Sequence, residues 1–152
     1  MNKRIVISIL GKLLMLEALG MTPALFIAIF NQGTDIKAFL ISIIITAIIG
    51  LAMSLCPIQK NRIKIKEGFV LVTFGWILAS LFGALPFIIS GSIPSFFDAF
   101  FETVSGFTTT GATILNDIEL LPKGILFWRS FTHWIGGMGI LVVAVEIFPI
   151  MG

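Results

Sequence analysis

Phe107-Thr108-Thr109-Thr110-Gly111-Ala112-Thr113 is a threonine-rich stretch with one glycine, and it lies between two segments apolar enough to cross a membrane. We call residues 108–113 the threonine strip. Hydrocarbon offers no hydrogen bonds, so irregular backbone at that depth is stable only against protein or along a water-filled path. Carbonyl and hydroxyl oxygens in such a stretch can replace the water shell of a small cation. The strip therefore predicts a membrane protein that lets ions pass.

The composition indicates an integral membrane protein. Of the 152 residues, 57% are hydrophobic and 12% are charged, and the mean hydropathy is +1.09, whereas a soluble domain carries roughly 25% charged residues. The net charge of +2 and the lack of a basic stripe argue against a nucleic-acid partner. A single cysteine, Cys56, excludes an intrachain disulfide and a multi-cysteine metal site. No nucleophile–base pair or phosphate-binding glycine loop is evident, so we expect no enzyme activity.

Apolar runs divide the chain into an all-α arrangement with four transmembrane helices. A crossing needs about 20 residues, and the runs are residues 5–30, 36–55, 68–90 and 124–148. Pro57 closes the second run, because proline cannot continue the helical hydrogen bonds. We expect two N-terminal transmembrane helices in residues 1–57, a basic loop in 58–67, and a span–loop–span repeat in 68–152.

A short helix is predicted for residues 95–107, directly before the strip. Ser95 can cap its start and Asp98 follows at the capping-box spacing. About eleven residues at 1.5 Å each cover only half a bilayer. This length predicts a re-entrant pore helix with a filter-like loop that enters and leaves on one side. The helix carries one apolar stripe, at Phe97, Phe100, Phe101 and Val104.

The positive charges predict the orientation of the chain in the membrane. Lys3 and Arg4 precede the first span, and a second basic cluster follows the second span, so both clusters are expected in the cytoplasm, together with the N-terminus. The re-entrant loop then opens outward, where an acidic mouth would concentrate cations. The same carboxylates are also expected to be solvated loop residues. The second basic cluster consists of Lys60, Arg62, Lys64 and Lys66. The loop flanks carry one basic residue, Lys123, and four acidic residues: Asp98, Glu102, Asp117 and Glu119.

The strip has the residue types of a site for alkali cations. The C-terminal end of the short helix carries a partial negative charge that favours a cation just beyond it. Gly111 can adopt φ > 0 and let successive carbonyls face one path, and hard, neutral oxygens suit such ions. The alternative is a structural turn that contains a glycine. The candidate ligands are Thr109, Thr110, Gly111, Ala112 and Thr113.

Residues of the fourth span have two interpretations. Arg129 and His133 share one helix face, and Arg129 is expected either to snorkel at the outer end of the span or to meet Asp117, Glu119 or Glu102. His133 is either a pH-sensitive gating residue or a packing residue, and no second histidine exists for a metal site. Gly136, Gly137 and Gly139 either allow close helix packing or form a hinge.

Two further membrane residues are ambiguous in the sequence. Glu17 in the first span is either a functional group, as intramembrane ionisable residues often are, or a group that faces another helix or the interface. Lys12 is poorly placed to pair with it, because five residues correspond to about 140° around a helix. Trp128 is expected to lie in an interfacial aromatic belt.

Residues 100–113, FFETVSGFTTTGAT, closely resemble the first pore loop of the Trk/Ktr/HKT superfamily of potassium transporters. Residues 127–140, FWRSFTHWIGGMGI, are similar to the inner helix that follows this loop in bacterial Trk types. The resemblance implies that Gly111 is the filter glycine and that potassium is bound at Thr109, Thr110 and Gly111. It also implies a cytosolic nucleotide-binding regulatory subunit and a possible homodimer.

Such transporters carry four span–loop–span repeats, whereas this sequence contains one. We therefore expect these residues to be the N-terminal portion of a longer transporter, with assembly of four copies as an alternative. A second functional class also stays open, in which the chain is a non-conducting membrane scaffold and the strip is a structural turn.

Overall fold

The structure, a computed structural model, describes residues 3–56 and 65–151 as an all-helical chain, which confirms the predicted fold class. Seven α-helices and one short 3-10 helix are formed in this part of the chain. The α-helices are α1 Lys3–Gly20, α2 Thr22–Phe30, α3 Ile36–Ser54, α4 Ile65–Gly83, α5 Leu85–Ile89, α6 Phe96–Phe107 and α7 Lys123–Met151, and the 3-10 helix is Ile118–Leu120.

Three helical segments are long and apolar enough to cross a membrane: Lys3–Phe30, Ile36–Ser54 and Lys66–Ile89. They coincide with the first three predicted spans. The fourth predicted span coincides with α7, which has 29 residues, and the total of four spans stays a prediction. Most of the predicted basic loop, including Lys60, Arg62 and Lys64, lies outside the described residues, as does Pro57.

The first and third spans are each broken once, where the sequence predicted continuous helices. α1 gives way to α2 at Met21, directly before Thr22-Pro23, and α4 gives way to α5 at Ala84, directly before Leu85-Pro86. Proline causes such breaks because it lacks the N–H that an interior helical position donates.

The break at Ala84 explains the position of Trp128. Phe87 N–H bonds to Ala84 O rather than to Gly83 O, and the indole nitrogen of Trp128 donates to that Gly83 carbonyl oxygen at 2.9 Å. The tryptophan is completely buried. The interfacial position predicted for Trp128 is therefore wrong, because a free carbonyl inside the bundle binds its N–H.

Glycine allows α1 and α3 to cross at very short range. A Cβ on Gly11 would lie 2.5 Å from Ser54 N and 2.6 Å from Gly50 O, so only glycine fits there. The Ser8 hydroxyl donates to Ser54 O beside this crossing, at 3.0 Å. Small residues and interhelical hydrogen bonds are the usual means of association in lipid, where burial of apolar side chains gains little.

Asp35 connects the N-terminal helices to α7. Its Oδ2 accepts a hydrogen bond from Ile125 N–H at 3.0 Å, and both residues are completely buried. Gly33 and Gly124 leave room for the carboxylate, since a Cβ on either would collide with it. Ile125 lies in the first turn of α7, where N–H groups lack helical partners and the helix dipole favours a negative charge. Asp35 thus caps a helix that begins 88 residues further along the chain.

Asp35→Ala should lower the free energy of unfolding by about 1–2 kcal/mol, the usual effect of losing a helix cap. Asp35→Asn keeps an acceptor oxygen and should lose less. Thermal unfolding of the purified protein in lipid nanodiscs measures both variants, and Asp117→Ala, at an exposed position, is the control. Equal midpoints for Asp35→Ala and Asp117→Ala would contradict the capping role.

Candidate functional site

Helix α6 leads into the threonine strip and has a polar buried face. Ser95 lies at its N-cap, and the Ser95 hydroxyl accepts Asp98 N–H at 3.4 Å, as predicted. The 12 residues of α6 span about 18 Å. The apolar stripe does not face the protein core: Phe97 is 79% exposed and Phe101 45%. The buried side is formed instead by small and polar residues, namely Ala99, Glu102, Thr103, Ser105 and Gly106, with Phe107 at its end.

α6 ends in a tight turn at the start of the strip. Thr109 N–H bonds to Gly106 O and Thr110 N–H bonds to Ser105 O, both at 2.9 Å. These two bonds define a Schellman motif, in which the residue after the C-cap is left-handed and is usually glycine. Here that residue is Thr109, with φ +54°. A β-branched residue in this region is rare, and such strain costs on the order of 1–3 kcal/mol.

The chain then returns along α6 rather than continuing across the bundle. Ala112 O accepts a hydrogen bond from the Ser105 hydroxyl at 2.5 Å. The Thr113 hydroxyl contacts both carboxylate oxygens of Glu102 at 2.9 Å. The strip therefore folds back along the helix, from Ser105 to Glu102.

Three consecutive carbonyl oxygens of the strip are free. Within residues 3–56 and 65–151, no donor reaches the carbonyl of Thr109, Thr110 or Gly111. Positive φ occurs at Thr109 and again at Gly111 (+77°), but not at Thr110 between them. Residues of opposite handedness in succession can turn neighbouring N–H groups to one side of the backbone. Of the five candidate ligands, the structure therefore groups Thr109, Thr110 and Gly111, and it joins Ala112 and Thr113 to α6.

Glu102 holds the strip and α7 together. It is 1% exposed, and its Oε1 accepts Arg129 Nε–H at 2.6 Å. The same carboxylate accepts Ile114 N–H at 3.2 Å, besides the Thr113 hydroxyl. The interpretation of Glu102 as a solvated residue of an acidic mouth is wrong, because a guanidinium and two donors from the loop replace its water. The other three carboxylates of that predicted mouth, Asp98, Asp117 and Glu119, are exposed.

Glycines of α7 let this helix pass directly behind the turn. A Cβ on Gly136 would collide with the backbone of Phe107, the last residue of α6. Beside it, a Cβ on Gly137 would make an ordinary 3.8 Å contact with the Thr109 methyl group. A Cβ on Gly139 would lie 3.4 Å from the Trp76 ring. Gly136 is near the middle of the 29-residue α7, roughly 20 Å from its start, so the strip begins at about half the depth of that helix.

The remaining candidates lie around this turn. His133 is half-buried, and its Nδ1 lies 3.0 Å from Arg129 O, a bond within α7. Glu17 is 7% exposed, and its carboxylate oxygens have no partner among the residues that the structure describes. It is nevertheless close to the site, since a Cβ on Gly83 would lie 3.1 Å from Glu17 Oε1 and 2.9 Å from the Phe107 ring. The exposed Lys12 is not its partner.

Known proteins are similar to this chain in sequence and in fold. The family profile described as "TrkH: Cation transport protein" matches residues 35–152. The chain belongs to the TrkH family. This membership confirms the resemblance found in the sequence. The family is one of cation transporters, so the protein is a membrane protein and not an enzyme.

Relatives of the TrkH family match almost the whole chain. The Trk system potassium uptake protein TrkH of Halomonas elongata is 40% identical over all of this chain, and that of Escherichia coli K12 is 42% identical. The crystal structure of the potassium transporter TrkH from Vibrio parahaemolyticus superposes with a TM-score of 0.91, at 37% identity over 98% of this chain. The chain spans about a third of the length of these proteins: 32% of each.

Two adjacent glycines of α7 provide a matched test of the close approach. Gly136→Ala should lower the free energy of unfolding by about 1–3 kcal/mol, as overpacking does, because its methyl group meets rigid backbone. Gly137→Ala should not cause this loss, because its methyl group would make only an ordinary contact. Both variants change helix propensity equally, so the difference between them reports the close approach alone. Thermal unfolding in nanodiscs compares them. Similar midpoints for the two variants would show that α7 does not pack on Phe107.

The buried ion pair should be strongly coupled. Arg129→Leu leaves the Glu102 carboxylate unpaired and should cost about 3–5 kcal/mol of stability. The double variant Glu102→Gln/Arg129→Leu removes both charges and should lose less than the sum of the single variants. A double-mutant cycle of unfolding free energies measures this difference, and strict additivity would contradict the pairing.

Proposed function

We propose that the chain takes part in potassium uptake across the cell membrane, and that the threonine strip selects the ion. The observation that carries this proposal is the row of three free carbonyls at Thr109, Thr110 and Gly111, which lie just beyond the C-terminal end of α6. Hydrocarbon would not tolerate these oxygens without a ligand or water. The relatives whose names contain "potassium uptake protein" support the identity of the ion.

Selection in this proposal is passive and uses neutral oxygens. A potassium ion loses part of its water shell at the strip, and backbone carbonyls with threonine hydroxyls replace those oxygens. The end of α6 adds a partial negative charge. The hydroxyls of Thr108 and Thr110 lie 2.8 Å apart and bond to each other, so they form a compact polar surface at the inner end of the strip. The membrane potential and the ion gradient then drive movement.

One strip supplies oxygens on one side of the path, and an ion needs ligands all around. Residues 68–152 are therefore proposed to be the first of the repeats that surround the pore, the N-terminus being cytoplasmic. Binding of potassium at the strip is proposed for the transporter to which these residues belong. The cytosolic nucleotide-binding subunit, which is expected to dock on the inner face, and a homodimer stay predictions of the resemblance.

Gly111→Ser tests the filter. Serine disfavours φ +77° by roughly 1–2 kcal/mol, so the carbonyls should turn away, and the preference for potassium over sodium should fall by about 5- to 30-fold. The measurement is rubidium uptake with competing sodium in transport-deficient cells. The cells express the chain together with any further residues that its reading frame encodes.

Gly91→Ser is the matched control for this substitution. Gly91 has φ +74°, and no atom lies within 4 Å of a Cβ on either glycine, so both variants carry the same backbone cost. Only Gly111→Ser should alter selectivity. If the two variants behave alike, the strip is a structural turn and the scaffold interpretation holds. Rubidium flux through the 152-residue chain alone would contradict the need for other repeats.

A further inference from the structure

In the part of the chain that the structure describes, three helices end with a left-handed residue directly after the C-cap. After α5 this residue is Gly91, with φ +74°. After α2 it is Gln32, with φ +50°, and after α6 it is Thr109, with φ +54°. Glycine is the residue that adopts this conformation without steric cost. The turn that opens the strip has threonine at this position, and it is the most strained of the three turns because threonine is β-branched.

The turns after α2 and α6 are built in the same way. Gln32 N–H bonds to Ile29 O at 3.1 Å and Gly33 N–H bonds to Ala28 O at 2.9 Å. The two bonds of the α6 turn, from Thr109 and Thr110, have the same spacing. Backbone hydrogen bonding therefore does not require threonine at position 109, because the same pair of bonds forms around a residue that is not β-branched.

The Thr109 side chain makes a hydrogen bond that glycine could not make, and it places a methyl group beside α7. Its hydroxyl donates to Thr108 O at 2.7 Å, while the N–H of the same peptide unit, that of Thr109, is bound to Gly106 O. Both ends of the peptide unit before the free carbonyls are thus fixed. The Thr109 methyl group faces Gly137 of α7, 3.8 Å from where a Cβ would lie.

We propose that Thr109 is a positioning residue that holds a strained turn so that the carbonyls of Thr109, Thr110 and Gly111 keep their direction. The strain is tolerated because the hydroxyl binds the preceding carbonyl of Thr108 and the methyl group lies beside Gly137 of α7. Glycine would relax the backbone but would release the peptide unit that orients the carbonyl row. This inference rests on the proposed function of the strip, and it predicts that stability and selectivity change in opposite directions.

Thr109→Gly and Gln32→Gly form the matched pair, because each removes the side chain of a residue with left-handed backbone from the same type of turn. Both should raise the midpoint of thermal unfolding, Thr109→Gly by at least as much as Gln32→Gly. Thr109→Gly should also lower the preference for potassium over sodium several-fold in rubidium uptake, whereas Gln32→Gly should leave it unchanged. Thr109→Ser keeps the hydroxyl and should retain more selectivity than Thr109→Gly.

Each outcome of this experiment supports or overturns the inference. A lower midpoint for Thr109→Gly would show that the turn is not strained. Unchanged selectivity in Thr109→Gly, while Gly111→Ser does reduce selectivity, would overturn the positioning role and leave the proposed function intact. If Gly111→Ser also behaves like Gly91→Ser, the proposed function itself fails. An equal loss of selectivity in Gln32→Gly would show that the effect comes from a general loss of rigidity in the protein, and it would overturn the inference.

Discussion

A buried carboxylate, that of Glu102, joins the three parts of the site. It lies on the inward face of α6, binds the returning end of the strip through Thr113 and Ile114, and pairs with Arg129 of α7. A charge with 1% exposure is tolerated only if other groups replace its water. Because the carboxylate belongs to α6 while those groups come from the loop and from α7, the position of each element depends on the other two. The path of the strip follows from this one requirement.

α7 is the element on which the site is built, and it is fixed at two levels. At its first turn, Asp35 from the N-terminal helices accepts the N–H of Ile125. Near its middle, Gly136 lets the Phe107 backbone approach to a distance that any side chain would prevent. The N-terminal helices thereby have a physical role in the site although none of their residues belongs to the strip. Through Asp35 they determine where α7 begins, and through Gly11 and Gly50 they form a closely packed support.

Local features of the fold were predictable from the sequence, and features that depend on distant partners were not. Apolar runs indicated the spans, and Ser95 indicated the start of α6, because both signals lie within a few residues of the element that they define. The burial of Glu102 depends on Arg129, and the role of Asp35 depends on Ile125, 90 residues away. Trp128 was misplaced for the same reason, since the carbonyl that it binds is freed by a proline break in another helix. For Thr109 a local signal did exist: a helix end without glycine before a polar loop.

The pairing of Glu102 also bears on how the strip would select an ion. An acidic mouth would attract any cation, and divalent ions more strongly than potassium, because attraction by a full charge grows with the charge of the ion. The positive charge of Arg129 offsets the negative charge of Glu102, the carboxylate that binds the strip. The free oxygens at Thr109, Thr110 and Gly111 therefore act as neutral dipoles beside a helix end. With neutral ligands, the balance between lost water and gained carbonyls depends on the number and direction of those oxygens. Selectivity in the proposed mechanism is therefore a matter of backbone geometry, and the residues that fix this geometry matter as much as the residues that supply the oxygens.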